Sequence, residues 1–275
     1  MDVTLDWGSM SRAARDAAFN NSAHVVNSAE LIAQREAQSA AFRAARPRLL
    51  DVAYGPRERT RWDLFPGEDP DAPCLVFVHG GYWQRNSREG FASLAQGAMA
   101  RGWSAALPGY TLAPEARLTD IVNEIRQALD WLQQHGPGHG IRGPVVLSGW
   151  SAGGHLTAMC LDHPLVTAGL AISGVHELGP IRDTYLNDRL QLGDDEVETL
   201  SPMRRPVARK PLLIAYGTAE LPALVAQSRG FHGVRAAAHA PGALLPVPGA
   251  NHFTILDALR EPEGALARQL PLLAS

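Results

Sequence analysis

Gly149-Trp150-Ser151-Ala152-Gly153 sets a serine between two glycines at a point where the chain changes character. Before it runs Gly143-Pro144-Val145-Val146-Leu147, short, β-branched and opened by Gly-Pro, as expected of an interior strand. After it, Ala152, His155, Leu156, Ala158, Met159, Cys160 and Leu161 read as a helix. A strand that breaks sharply into a helix strains the residue at the turn, and small neighbours relieve the crowding on both sides. The Ser151 hydroxyl is then presented to a cleft. The Ala152 N–H, at the positive end of the new helix, can face a developing oxyanion.

A serine hydroxyl is a weak nucleophile at neutral pH and needs a base. His252, in Pro248-Gly249-Ala250-Asn251-His252-Phe253, lies in a glycine-containing loop after the last expected strand. It follows Ser151 in chain order, as this arrangement requires. His155 sits one helical turn past Ser151 and is expected to pack into the helix face. His24, His135, His139, His163, His232 and His239 have no strand-end placement. A carboxylate should hold the imidazole, and in this chain order it falls between serine and histidine. Glu220, in Ala215-Tyr216-Gly217-Thr218-Ala219-Glu220, is the leading candidate, and Glu177, in Ser173-Gly174-Val175-His176-Glu177, is the alternative; Asp257 reads as a surface charge. His79-Gly80-Gly81 follows an early apolar run, where paired glycines let backbone N–H groups point into the cleft. Gly80, Gly81 and Ala152 are therefore the expected oxyanion donors, with His79 organising the loop. Tyr82, Trp83 and Trp150 flank these points and are expected to give a substrate pocket flat apolar walls.

These residues need a scaffold that gathers them at one edge, and the remaining pattern supplies it. Leu49–Tyr54 and Thr60–Phe65 read as a hairpin-like pair joined at Gly55-Pro56. Cys74–Val78 is a continuous apolar run, as in a strand covered on both faces. Strand and helix then alternate: helix near Glu89–Arg101, strand Trp103–Leu107, helix Leu118–His135, strand at Val145, helix at Ala152 and strand Gly169–Ser173. An irregular stretch to Lys210 is followed by strand Leu212–Tyr216, helix Leu221–Phe231, strand Leu244–Val247 and closing helices. That alternation predicts an α/β fold with a mainly parallel central sheet and helices on both faces, ligands binding beyond the carboxyl ends of its strands. His79, Ser151, Glu177, Glu220 and His252 all fall just past expected strand ends.

We expect one domain over residues 1–275, with an N-terminal helical segment at about 9–46 and a small cap-like insertion at about 175–209. Within the first segment, Ser11–Phe19 is one helix candidate, and a second is capped by Ser28 and ended by Pro47. The simplest placement for both is the outside of the domain. The alternative is that they overhang the site, since no large lid insertion follows.

With 275 residues and 45% hydrophobic content, the chain can bury a substantial core. A net charge of -3 and a pI near 6.4 give no electrostatic footprint for nucleic acid or an anionic membrane. Cys74 and Cys160, the only two cysteines, fit no metal-ligand spacing and read as buried thiols. The opening Met1–Trp7 lacks the basic and apolar regions of a signal peptide, and no apolar run could span a bilayer. A cytoplasmic protein is expected.

The combination His79-Gly80-Gly81-Tyr82-Trp83 with Gly149-Trp150-Ser151-Ala152-Gly153-Gly154-His155 resembles the α/β-hydrolase superfamily, specifically its serine-type kynurenine formamidase-like (arylformamidase) and carboxylesterase group. Tyr54-Gly55-Pro56, Asp63-Leu64-Phe65, Gly109-Tyr110-Thr111-Leu112-Ala113-Pro114, Glu220-Leu221-Pro222 and Asn251-His252-Phe253 reinforce the likeness, which runs from about Asn20 to Leu259. The resemblance implies a hydrolase acting through Ser151, an acidic residue and His252, with no metal and no cofactor. Members of the group commonly carry aspartate where Glu220 stands. N-formyl aryl amides and small carboxylic esters share this acyl-enzyme chemistry, and the resemblance does not choose between them. An amidase acting on another small amide, or a non-catalytic ligand-binding module, are the alternative readings. The expected partner is a small-molecule ester or amide, with a homodimer left open.

Overall fold

In the computed structural model, which describes residues 7–274, eight strands form one sheet in the order β1-β2-β4-β3-β5-β6-β7-β8. Residues 1–6, on which the signal-peptide reading rests, lie outside the described residues. The strands are β1 (Val52–Ala53), β2 (Arg61–Phe65), β3 (Cys74–Val78), β4 (Ser104–Pro108), β5 (Val145–Trp150), β6 (Val166–Ile172), β7 (Leu212–Gly217) and β8 (Gly242–Val247). From β4 through β8 every pairing is parallel, while β1 and β2 run antiparallel at one edge.

The helices, in chain order, are α1 (Arg12–Ala18), α2 (Asn21–His24), α3 (Ser28–Ala44), α4 (Gln96–Met99), α5 (Leu118–His135), α6 (Ala152–Cys160), α7 (Gly179–Arg182), α8 (Asn187–Leu190), α9 (Asp194–Leu200), α10 (Pro222–Ala237), α11 (Asp257–Arg260) and α12 (Leu270–Ala274). None among the described residues is long and apolar enough to cross a membrane.

The sheet is buried on both faces, and alternate residues of one strand belong to different cores. Cys74, Val76 and Val78 of β3 pack on one side with Ile121, Ile125, Leu129 and Leu132 of α5. Leu75 and Phe77 pack on the other with Phe42 of α3 and Phe91. A run such as Cys-Leu-Val-Phe-Val thus satisfies two layers at once, because successive strand side chains point to opposite faces. In α5 the buried positions recur every three or four residues, which is why the sequence fixes that helix so closely.

Some bounds shift, β6 beginning at Val166 and α10 running on to Ala237, and three further differences have a local cause. Residues 88–101 are not one helix: Arg88–Ala95 is a run of 3-10 turns, with only Gln96–Met99 α-helical. Side chains of α3 compete for its backbone groups, Arg35 Nε donating to Gly90 O at 2.9 Å and Ser39 Oγ accepting from the Ser93 N–H at 3.2 Å. β1 shrinks to two residues. Pro47–Leu49 forms a 3-10 turn, and Asp51 adopts φ 59°, which carries its N–H to Asp63 Oδ1 at 3.2 Å. Asn27, not Ser28, is the residue before α3, and the Ser28 hydroxyl instead donates to Ser22 O at 2.9 Å.

The N-terminal helices divide between two locations. α3 lies outside the sheet, against the 3-10 run. α1 and α2 lie beside the His79-Gly80-Gly81 loop: Tyr82 Oη donates to Phe19 O at 2.8 Å and accepts from Asn21 Nδ2 at 3.1 Å. Asp16 Oδ1 accepts from the Tyr185 N–H at 2.8 Å, joining α1 to the segment between α7 and α8.

Candidate active site

Ser151 is the single residue between β5 and α6, with φ 57° and ψ -116°. A non-glycine residue at positive φ is strained and survives only where its surroundings hold it. Here the Ser151 N–H donates to Ile172 O at 2.8 Å, and its carbonyl accepts from the His155 N–H at 3.1 Å. The flanking glycines are dictated by close approach. A methyl group on Gly149 would stand 2.2 Å from Gly153 O, and one on Gly153 would stand 2.0 Å from Val78 O. Only bare Cα atoms let α6 leave the sheet this steeply.

His252 reaches this turn from the loop after β8. Trp150 Nε1 donates to His252 O at 2.8 Å, and the two rings lie 4.7 Å apart. Asn251 shapes the loop, its Oδ1 accepting from the N–H groups of Phe253 (2.9 Å) and Thr254 (3.0 Å). The carboxylate that meets the imidazole is Glu220, with Oε2 at 2.9 Å from His252 Nδ1. A carboxylate there fixes the tautomer with hydrogen on Nδ1, which leaves Nε2 as the basic nitrogen. Ser151, Glu220 and His252 are 1%, 6% and 3% exposed, so the His252–Glu220 pair and the serine beside Trp150 all lie away from bulk water.

The second carboxylate oxygen of Glu220 is also held. Oε1 accepts from Ser173 Oγ at 2.6 Å and from the Gly217 N–H at 2.6 Å. The longer side chain is thereby folded back onto the end of β7 and aimed at the imidazole. Ser173 has φ 51°, immediately past β6. Nothing in its sequence neighbourhood singles it out, because its partner is 47 residues away. Glu177 is turned elsewhere, forming an ion pair with Arg204 Nη2 at 2.7 Å.

The His79-Gly80-Gly81 loop packs directly on the serine: a methyl group on Gly80 would stand 2.5 Å from Trp150 O and 2.9 Å from Ser151 Cβ. Its carbonyl accepts from His79 Nδ1 at 2.9 Å and Asn86 Nδ2 at 3.0 Å. Burial lowers the His79 pKa to about 3, so the ring is neutral. Ala152 is the first residue of α6, where helical N–H groups lack intrahelical partners. Of the three aromatic residues, Trp83 is fully buried and edge-on to His155, Trp150 lies on His252, and Tyr82 is tied to α1 and α2 as above. His155 Nε2 contacts Leu200 O at 2.8 Å. Among the described residues no group of three or more His, Cys, Asp or Glu is arranged to hold a metal ion.

The BD-FAE family model matches residues 64–161, the span that carries both the paired glycines and the serine turn. Kynurenine formamidase of Danio rerio is 27% identical over 239 residues, covering 81% of this chain and 80% of that protein. Esterase LipC of Mycobacterium tuberculosis is 27% identical over 245 residues, covering 76% of this chain and 60% of that protein. Among solved structures, a candidate thioesterase from Silicibacter sp. superposes with a TM-score of 0.81 at 30% identity, covering 92% of this chain and 97% of that one.

Proposed function

Because the chain belongs to the α/β-hydrolases, as a kynurenine formamidase/carboxylesterase-like protein, we propose that it cleaves a small carboxylic ester or an N-formyl aryl amide through an acyl-enzyme on Ser151. The observation that carries this reading is a His252–Glu220 pair at 2.9 Å whose imidazole lies on Trp150, the residue before the strained Ser151 at the end of β5. Ser151 Oγ attacks the substrate carbonyl while His252 Nε2 takes its proton. Glu220 stabilises the imidazolium that forms. The N–H groups of Gly81 and Ala152 receive the negative oxygen, with Gly80 setting the distance between loop and serine. Collapse expels the alcohol or arylamine, which takes the proton from His252. Water then repeats the sequence on the acyl-enzyme and releases the acid, formate in the formamide case. Tyr82 and Trp150 form the apolar surround of the acyl or leaving group, with the fully buried Trp83 backing it, and residues 175–209 form its cap. Each role is filled by the chain's own residues.

Side-by-side kinetics on N-formylkynurenine and p-nitrophenyl acetate test the reading, with Ser151→Ala as the decisive variant. Turnover of both should fall by about four powers of ten or more in that variant, and a fluorophosphonate should label the parent protein at Ser151 alone. Turnover retained by Ser151→Ala would exclude the mechanism.

A further inference from the structure

We propose that Asn86 is a positioning residue for the oxyanion site, clamping the Gly80–Gly81 peptide so that the Gly81 N–H faces the reacting carbonyl. The inference rests on the acyl-enzyme reading above and identifies what keeps its oxyanion donor in place.

A peptide flanked by two glycines is unusually free to rotate, because neither side has a Cβ to restrict it. In a trans peptide the C=O and N–H point in opposite directions, so whatever holds the carbonyl also aims the amide hydrogen. The Gly80–Gly81 bond is trans, the only cis peptide among the described residues being Ala113–Pro114. Two donors converge on Gly80 O, His79 Nδ1 at 2.9 Å and Asn86 Nδ2 at 3.0 Å. A carbonyl oxygen has two lone pairs, and both are used. Rotating the peptide by half a turn would break both bonds and withdraw the Gly81 N–H from the site.

Asn86 is itself held for this task. Its φ is 71°, a left-handed value that asparagine tolerates better than most residues. Its carbonyl accepts from Arg59 Nη2, and Arg59 Nε donates to Tyr110 O at 2.9 Å. Tyr110 Oη donates to His79 O at 2.9 Å, and its ring stacks on the His79 imidazole at 4.3 Å and 12°. Arg59, Asn86, Gly80, His79 and Tyr110 thus close a ring of contacts around one peptide. Gly81, at φ 120°, sits so close that a methyl group on it would stand 2.7 Å from Asn86 Nδ2. Its carbonyl is taken by the N–H groups of Gln84 (3.0 Å) and Arg85 (3.1 Å).

The test uses Asn86→Asp, which keeps size and left-handed tolerance but replaces the donor with a carboxylate oxygen facing Gly80 O. Steady-state hydrolysis of p-nitrophenyl acetate is measured beside inhibition by an aryl trifluoromethyl ketone, whose tetrahedral adduct carries its oxyanion where the reaction does. Asn86→Gly, Ser151→Ala and thermal melting run in parallel. We expect kcat to fall about 10- to 100-fold in both Asn86 variants, less than for outright loss of a donor because His79 remains. KM should stay within about twofold, and the ketone inhibition constant should rise by the same factor as kcat/KM falls. Full activity in both Asn86 variants beside an inert Ser151→Ala overturns the positioning role alone. So does a loss of kcat with ketone affinity unchanged, since a misplaced oxyanion donor would weaken the adduct as well. A Ser151→Ala protein that still turns over overturns the hydrolase reading and this inference with it.

Discussion

At the scale of single residues, the Glu220 carboxylate shows how a long side chain is aimed at an imidazole by holding both of its oxygens. Its two oxygens divide their work, Oε2 on His252 Nδ1 and Oε1 on Ser173 Oγ and the Gly217 N–H. Glu220→Gln removes the charge and keeps the shape, and kcat/KM for p-nitrophenyl acetate should fall by about three to four powers of ten, the scale set by loss of a triad carboxylate. Ser173→Ala leaves the Gly217 bond in place and should cost about tenfold, since a hydrogen bond to a charged group contributes roughly 1.5–3 kcal/mol. A Ser173→Ala protein with parental kcat/KM would mean that Gly217 alone aims the carboxylate. That Ser151, His252, Glu220 and Glu177 fall after strand ends was legible in the chain order. The contacts of Ser173 and Asn86 were not, because their partners are brought near only by folding.

At the scale of elements, the edge of the sheet depends on a buried charge cluster that ties α3, β2 and the 3-10 run together. Asp63, with no exposed surface, accepts from Arg43 Nε at 2.7 Å and Arg88 Nε at 3.1 Å, and Asp51 pairs with the same two arginines. Breaking a buried pair by deleting one partner strands the other charge. Arg88→Met should therefore destabilise the protein by about 3 kcal/mol in urea denaturation. Adding Asp63→Asn should recover part of that loss, as the double variant no longer buries a carboxylate left with Arg43 as its side-chain partner. No recovery would assign the cost to lost packing. This cluster also explains where periodicity misread the chain. α5, set by the spacing of its own apolar residues, was predicted to the residue. The stretch from Arg88, whose side chains and carbonyls answer to α3 and Asp63, was predicted as a helix and is mostly 3-10.

At the scale of the whole molecule, burial of neutral imidazoles ties stability to pH. Desolvation lowers His79 and His176 to about 3 and His155 to about 4. In the unfolded chain histidine titrates near 6.5, so between there and these folded values the unfolded state binds more protons than the folded state. The contribution of these three groups to stability is full above about pH 6.5 and falls as pH drops, by up to about 1.4 kcal/mol per pH unit for each histidine. His176, whose two ring nitrogens have no partner among the described residues and whose ring stacks on Phe231 at 4.4 Å, gives the clearest test. His176→Leu should flatten the decline in unfolding free energy between pH 7 and 5 by about a third, and an unchanged slope would refute its share. The sequence by itself determined the sheet of alternating strands and helices and the chain order of serine, acid and base. Those are local matters: apolar spacing sets a strand or a helix, and glycines beside Ser151 and after His79 declare turns without any distant partner. Only the tertiary structure decided which carboxylate meets His252, which side chains hold the Gly80 carbonyl, and that α1 and α2 lie beside the His79-Gly80-Gly81 loop while α3 packs outside. Each of these is a contact between residues far apart in the chain, fixed by directional hydrogen bonds and by which donors are left without water once the core closes, and neither is written in spacing or composition.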